Sequence, residues 1–190
     1  MNEEDTRLVA RLRAGEEDAF RELVDTYRDR ILTVVARVAG GAADAEDLAQ
    51  ETFLKAFGAI GRFAGQSALY TWLYRIAVNT ARDWLAHRRR RPAVSLDALP
   101  AGAVDPPDPG QGPLEALDRD ELRARVRLAM DKLPEPFRTT LVLREMEGHT
   151  YEEVARILDV SIGTVESRIF RARTKLRAIL LADPDGPHPD

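Results

Sequence analysis

The chain has 190 residues, 44% of them hydrophobic, a formal net charge of −4 and no cysteine. That apolar fraction suffices for one large or two small packed cores and argues against disorder throughout, and the absence of thiols excludes a disulfide framework or a thiolate metal site and fits a reducing compartment. The opening stretch MNEEDTRLVARLRAG is acidic and amphipathic where a secretory leader is basic and then apolar, and nowhere do ~18 apolar residues run uninterrupted, so a soluble, cytoplasmic protein is expected.

Periodicity predicts four helices in the first half. Thr6 to Arg13 is short and closed by Gly15. Glu16 to Ala39 carries Phe20, Leu23, Val24, Tyr27, Ile31, Val34, Val35 and Val38 at helical spacing, with acids in its first turn and Gly40 after its end. Ala43 to Phe57 turns Ala45, Leu48, Ala49, Thr52, Phe53, Ala56 and Phe57 inward, leaving Asp47, Gln50, Glu51 and Leu54 on the outer arc. A loop from Gly58 to Gln66 leads into the fourth helix, Ser67 to Arg91. No alternating strand pattern competes, so the fold class expected is all-α.

The fourth helix is the most informative. Leu69, Trp72, Leu73, Ile76, Ala77, Thr80 and Trp84 form its apolar arc, which accounts for folding. The opposite arc carries Thr71, Tyr74, Arg75, Val78, Asn79 and Arg82 and runs into Arg88 to Arg91. This is either a solvated face with stray aromatics or a surface on which flat side chains accept unstacked bases while arginines track phosphates.

Pro92 to Pro113 holds six prolines and three glycines in 22 positions and reads as a flexible linker. Beyond it, Leu114 to Leu133 is an amphipathic helix stopped by Pro134, and Pro134-Glu135-Pro136 starts another that ends before Gly148. Thr150 and Glu153 have capping-box spacing for a helix to about Leu158, and Ser161 caps a last helix to about Leu180. Residues 182–190 read as a disordered tail.

Tyr151 to Leu176 therefore reads as a helix-turn-helix, with small Ala155 at the crossing, an interior of Val154, Leu158, Val160, Ile162, Val165 and Ile169, and Asp159 at the turn where glycine is common. Thr164, Ser167, Phe170, Arg171 and Thr174 point away from that interior, flanked by Arg168, Arg173, Lys175 and Arg177. In a major groove Arg171 suits guanine, Ser167 or Thr164 a base edge or phosphate, and Phe170 a thymine methyl. Glu166 either accepts from a cytosine amino group or pairs with Arg168 or Arg173.

The net charge conceals segregation. Residues 61–91 have 7 basic and 1 acidic side chains and 161–177 have 5 and 1, against 8 and 13 in residues 1–60. Such islands attract phosphates locally, while acidic surroundings suppress indiscriminate binding. An enzyme has little support: His87, His149 and His188 are scattered, most such groups reading as ordinary surface groups, there is no Gly-rich phosphate signature, and no metal-ligand set, cofactor site or small-molecule substrate is indicated. The remaining rival is a conventional operator-binding regulator that uses the helix-turn-helix alone.

The segments DAEDLAQETFLKAF (44–57), RFAGQSALYTWLYRIAVNTARDWL (62–85), LPEPFRTTLVLREMEGHTYEEVA (133–155) and GTVESRIFRAR (163–173) occur here in one order across a proline-rich linker. In this the chain resembles the extracytoplasmic-function sigma factors, in particular the envelope-stress subgroup, from residue 5 to about 180. The resemblance implies a domain at 1–91 that binds core polymerase and recognises and melts the promoter −10 element, a linker at 92–113, and a domain at 114–181 that recognises the −35 element.

On residues, it implies that Asp47, Gln50, Glu51 and Leu54 dock on the clamp helices of the polymerase beta-prime subunit, with the beta flap as a second polymerase contact. Phe63 and its loop, with Asn79, would form a pocket for a flipped non-template base, Gly61 and Gly65 letting backbone approach it, and Arg62, Thr71, Tyr74, Arg75 and Arg82 would hold the separated strand. Thr164, Ser167, Arg168, Phe170, Arg171 and Arg173 would face the −35 duplex, with Glu166 at a variable specificity position. A stress-responsive role under an anti-sigma factor, often membrane-anchored, is also implied.

Overall fold

The computed structural model describes residues 3–41, 43–90 and 113–182. The linker read over 92–113 lies outside the described residues except for Pro113, and the tail read over 182–190 lies outside them except for Ala182. Every regular element among the described residues is helical.

α1 (Glu3–Arg13) begins three residues before the expected Thr6, because Glu3, Glu4 and Asp5 fill its first turn and favour the positive end of the helix dipole. It buries Leu8, Val9 and Leu12. α2 (Glu17–Ala39) stops at Gly40, whose left-handed backbone (φ 77°) returns its N–H to the Ala36 carbonyl at 3.1 Å. α3 (Ala45–Ala59) runs past Phe57 and tightens into a 3-10 turn at Ile60–Arg62, so the loop expected from Gly58 starts only at Phe63. Burial of Ile60 and edge-on packing of Phe57 on Phe20, with centroids 4.3 Å apart, override the helix-weakening Gly58. α4 (Leu69–Arg90) packs between α2 and α3 through Leu69, Leu73 and Ala77.

α5 (Pro113–Asp131) takes Pro113, read as the end of the linker, as its first residue, where the missing N–H costs nothing. α6 (Glu135–Leu141) follows Pro134 and then widens into a π-type turn, Val142–Met146, in place of a regular helix to Gly148. The wider turn keeps Val142 and Leu143 in the core and delivers Glu147 to α2 and α4. Thr150 and Glu153 form the expected capping box at the start of α7 (Tyr151–Leu158). Asp159 occupies the left-handed turn (φ 56°, ψ 51°), and the Ser161 hydroxyl accepts from the Thr164 N–H at 3.1 Å to begin α8 (Ile162–Leu181).

The helix-turn-helix interior contains Val154, Ala155, Leu158, Val165 and Ile169, and also Ile157 and Ala172, which the sequence reading did not name. Ile162, expected inside, is exposed as the first residue of α8.

The two helical units do not stand apart. α7 packs on α4 and α6 on α2, and one continuous apolar cluster runs through both halves. Buried Arg138 of α6 spans them, donating to the Val38 carbonyl of α2 at 2.8 Å and to the Asp131 carbonyl of α5 at 3.2 Å. A cation there satisfies carbonyls at two helix C-termini at once.

Candidate nucleic-acid interface

On α4 the apolar arc packs as its periodicity requires, but the opposite arc is not open. Asn79 and Arg75 are exposed and Arg82 is half-buried, whereas Thr71 and Tyr74 are each 3% exposed and Val78 is fully enclosed. The expectation of an outward Thr71, Tyr74 and Val78 is corrected on this point, because α7 and the turn before it cover that stretch of α4. Phe63 is likewise only 3% exposed, packed against Trp72 with ring centroids 5.1 Å apart, and its carbonyl accepts from the Arg13 guanidinium. Arg62 and Asn79 stand free of the core. Of the two loop glycines only Gly65 has a backbone (φ 71°) that favours glycine.

The covering surface is acidic. The Tyr74 hydroxyl donates to Glu147 at 3.0 Å, and Glu147 is also paired with Arg37 of α2 at 3.1 Å. Arg82 Nε meets Glu135 at 2.6 Å, Arg75 pairs with Asp159 at 3.2 Å, and the Tyr70 hydroxyl donates to Glu153. Burial, then the neighbouring Glu147 charge, pushes the Tyr74 hydroxyl well above the usual tyrosine range.

His149 lies in this seam. Its ring stacks on Tyr70 with centroids 5.8 Å apart and meets Tyr74 edge-on at 4.7 Å. His149 is thus an exception to the reading of most of these groups as ordinary surface groups: it is buried, and burial lowers its pKa against the opposing pull of Glu153 and Glu147. Tyr70, Glu135, Glu147 and His149 are the residues that sequence reasoning missed. The hydrogen bonds that tie α4 to Glu135, Glu147 and Glu153 join residues 53 to 83 positions apart, beyond any periodic signal.

α8 offers a second, open surface. Ser167, Phe170, Arg171 and Thr174 are exposed on one side, with Phe170 at 73%, while Val165, Ile169 and Ala172 anchor the other. Thr164 is half-buried, its hydroxyl 2.9 Å from that of Ser161. Arg173 is held by Glu145 of the π-type turn at 2.6 Å. Glu166 is exposed and, among the described residues, pairs with neither Arg173 nor Arg168, which leaves its carboxylate available to a ligand.

The third surface is the outer arc of α3, where Asp47, Gln50, Glu51 and Leu54 are all exposed and Leu54 reaches 61%. Lys55 steadies Glu51 at 2.8 Å. Val24 and Arg28 of α2 and Ala49, Phe53, Leu54 and Phe57 of α3 line a groove of about 400 Å³, with an apolar floor and a charged rim where Arg28 meets Glu46 at 3.0 Å. Among the described residues no group of three or more His, Cys, Asp or Glu could hold a metal ion, and no helix is long and apolar enough to cross a membrane.

Comparison with known proteins bears on the same surfaces. The Sigma-70 region 2 family matches residues 23–91, containing α3 and α4, and the Sigma-70, region 4 family matches residues 123–176, containing the helix-turn-helix. The chain is 45% identical over 175 residues to the RNA polymerase sigma-H factor of Pseudomonas aeruginosa, covering 90% of this chain and 91% of that one. It is 43% identical over 177 residues to the ECF RNA polymerase sigma-E factor of Escherichia coli, covering 89% and 90%. Among solved structures, CnrH in complex with the cytosolic domain of CnrY superposes with a TM-score of 0.68 at 33% identity over 94% of this chain and 98% of that one. The sigma factor RpoE in complex with the anti-sigma factor NepR from Bartonella quintana gives 0.66 at 25% identity over 86% and 98%. With both sigma regions matched in order and relatives this similar over almost the whole chain, the protein belongs to the ECF sigma factors, which are transcription initiation factors and not enzymes.

Proposed function

We propose that this sigma factor binds core RNA polymerase through the α3 arc of Asp47, Gln50, Glu51 and Leu54, seated on the beta-prime clamp helices, with a second contact from residues 114–181 to the beta flap. Residues 1–91 then recognise and melt the −10 element, and α8 reads the −35 duplex. The observation that carries this reading is the presence in one chain of an apolar-floored docking groove on α3 and an open reading face on α8. A lone operator-binding regulator needs only the second. The work is done in the cytoplasm, where polymerase and promoter are.

The test is run-off transcription with bacterial core polymerase on promoters found by aligning start sites after overexpression. Tight specific duplex binding without core, and no transcription with core, would defeat the sigma reading in favour of the operator-binding one. Arg171→Ala should weaken −35-dependent promoter use by about 1–3 kcal/mol if the guanidinium is bidentate to guanine. An unchanged −35 preference across a promoter library counts against that role.

Asn79 separates melting from docking. It is exposed, so Asn79→Ala leaves the core of α4 intact. Its expected effect is slower opening of duplex promoters, with core binding unaltered and activity restored on a template already unpaired at −10. Loss of core affinity to the same degree would remove Asn79 from the pocket.

Control by an anti-sigma factor is part of this reading, because both solved relatives described above are complexes, one of them explicitly with an anti-sigma factor. Such a partner, membrane-anchored or not, would cover the polymerase-binding faces until a stress signal releases it. Co-purification of the tagged chain from unstressed cells, repeated after envelope stress, tests this directly.

A further inference from the structure

We propose that Glu166 is a specificity-determining residue: its carboxylate accepts a hydrogen bond from the amino group of one cytosine in the −35 element and rejects guanine and thymine at that position. This rests on the assignment of α8 as the helix that reads the −35 duplex. Glu166 is the single acidic residue of α8, against Arg168, Arg171, Arg173, Lys175 and Arg177. It stands in the second turn of the helix, and the N-terminal part of a recognition helix is the part that reaches base edges in the major groove. A carboxylate placed there is repelled by phosphates on both strands and lowers affinity for DNA in general. It favours binding only where a donor meets it.

No such donor comes from the described residues. Arg173, two turns along the same column of α8, is engaged by Glu145 at 2.6 Å, and Arg168 is half-buried with its guanidinium Nη1 enclosed. The nearby hydroxyls spend their protons on the helix itself: Ser167 donates to the Thr164 carbonyl at 3.0 Å and Thr174 to the Phe170 carbonyl at 2.9 Å. Ser167 therefore offers only lone pairs to a ligand and, with the Glu166 carboxylate beside it, makes an edge that accepts and does not donate. Arg171, exposed and without a partner among the described residues, makes the opposite edge, which donates and does not accept. In the major groove cytosine presents its N4 amino group, guanine and thymine present acceptors, and adenine sets the N7 acceptor beside its N6 amino group. Cytosine alone suits the accepting edge. Phe170, one turn along from Glu166, excludes water from that side once α8 is seated, so a wrong base leaves a desolvated charge unpaired, and most of the discrimination is a penalty on the wrong base.

The experiment uses the full chain assembled with core polymerase and measures run-off transcription from a promoter library in which each −35 base pair is taken in turn through all four identities. Wild type is compared with Glu166→Ala, Glu166→Gln and Glu166→Arg. The position is exposed, so these changes leave the helix-turn-helix interior intact, and Glu166→Gln also keeps the side-chain shape. Thermal midpoints equal to that of wild type establish the fold of each variant. Arg171→Ala, run in parallel, reports whether α8 reads the duplex at all.

Wild type is expected to favour cytosine over guanine at one −35 position by about tenfold. Glu166→Ala should flatten that position alone. Glu166→Gln should turn it to adenine, whose N6 and N7 an amide meets with an acceptor and a donor, and Glu166→Arg should turn it to guanine. The other positions keep their preferences, the guanine read by Arg171 among them. A Glu166→Ala variant that strengthens every promoter alike, with all preferences intact, overturns the proposal, because the carboxylate then only repels phosphates, and it leaves α8 as the reading helix. A −35 element whose sequence matters neither to wild type nor to Arg171→Ala overturns the reading role of α8 itself, and the role of Glu166 with it.

Discussion

Leu54→Asp is expected to lower affinity for core polymerase by at least about 30-fold, equivalent to ~2 kcal/mol or more, with no change in the thermal midpoint. Leu54 is 61% exposed at the edge of the groove between α2 and α3, with Phe53 and Phe57 in the groove wall and Asp47, Gln50 and Glu51 around it. An apolar group ringed by polar ones has the anatomy of an interface centre, where water is excluded and truncation costs most. Because Leu54 supports nothing in the core, its loss is not relayed to the fold, and a carboxylate in its place would have to be desolvated on docking. Equilibrium titration of labelled sigma with core measures the effect. The rim changes Asp47→Asn and Gln50→Ala should move it far less, and a rim change as costly as Leu54→Asp would relocate the centre of the interface.

Phe63→Ala is expected to destabilise the protein by about 3–5 kcal/mol and lower its melting temperature by roughly 6–20 °C. Its ring is buried against Trp72, and its carbonyl is held by Arg13, so the residue ties α1 and the loop to the start of α4. Truncation leaves a cavity where three segments meet. The consequence for function is specific: a defect of Phe63→Ala in promoter opening, assayed near its own melting temperature, would report unfolding and not a lost pocket. Differential scanning calorimetry sets the temperature at which the variant is fully folded, and opening assays belong below it. A stability change under 1 kcal/mol would mean that the ring lies free in solution, as an open pocket requires.

Much of this organisation was legible in local pattern. The inward and outward arcs of α3 follow from its periodicity because one neighbour on one side, the α2/α4 layer, decides burial. The caps at Thr150 and Ser161 and the left-handed Asp159 are also local, each satisfied by groups within four residues, so sequence spacing suffices to find them. The same holds for the open side of α8, where Phe170 and Arg171 face away from the helix-turn-helix interior.

α4 shows where local pattern stops. Its amphipathicity distinguishes a core arc from another arc but carries no information about a second covering layer, and Tyr74, Thr71 and Val78 are buried by α7 and the preceding turn from the other side of the linker. Glu166 is the opposite case: the sequence offered it Arg173, and the fold gives that arginine to Glu145. By itself the sequence determined the helices, the caps and which polar side chains share the outer arcs of α4 and α8, because these depend on spacing within one or two turns, while the resemblance carried the order of the two sigma regions. Only the tertiary structure decided which of those side chains are free, because the carboxylates that occupy them come from Glu135, Glu147, Glu153 and Asp159, and pairing across so long a chain separation is set by packing of the shared core and not by any local preference.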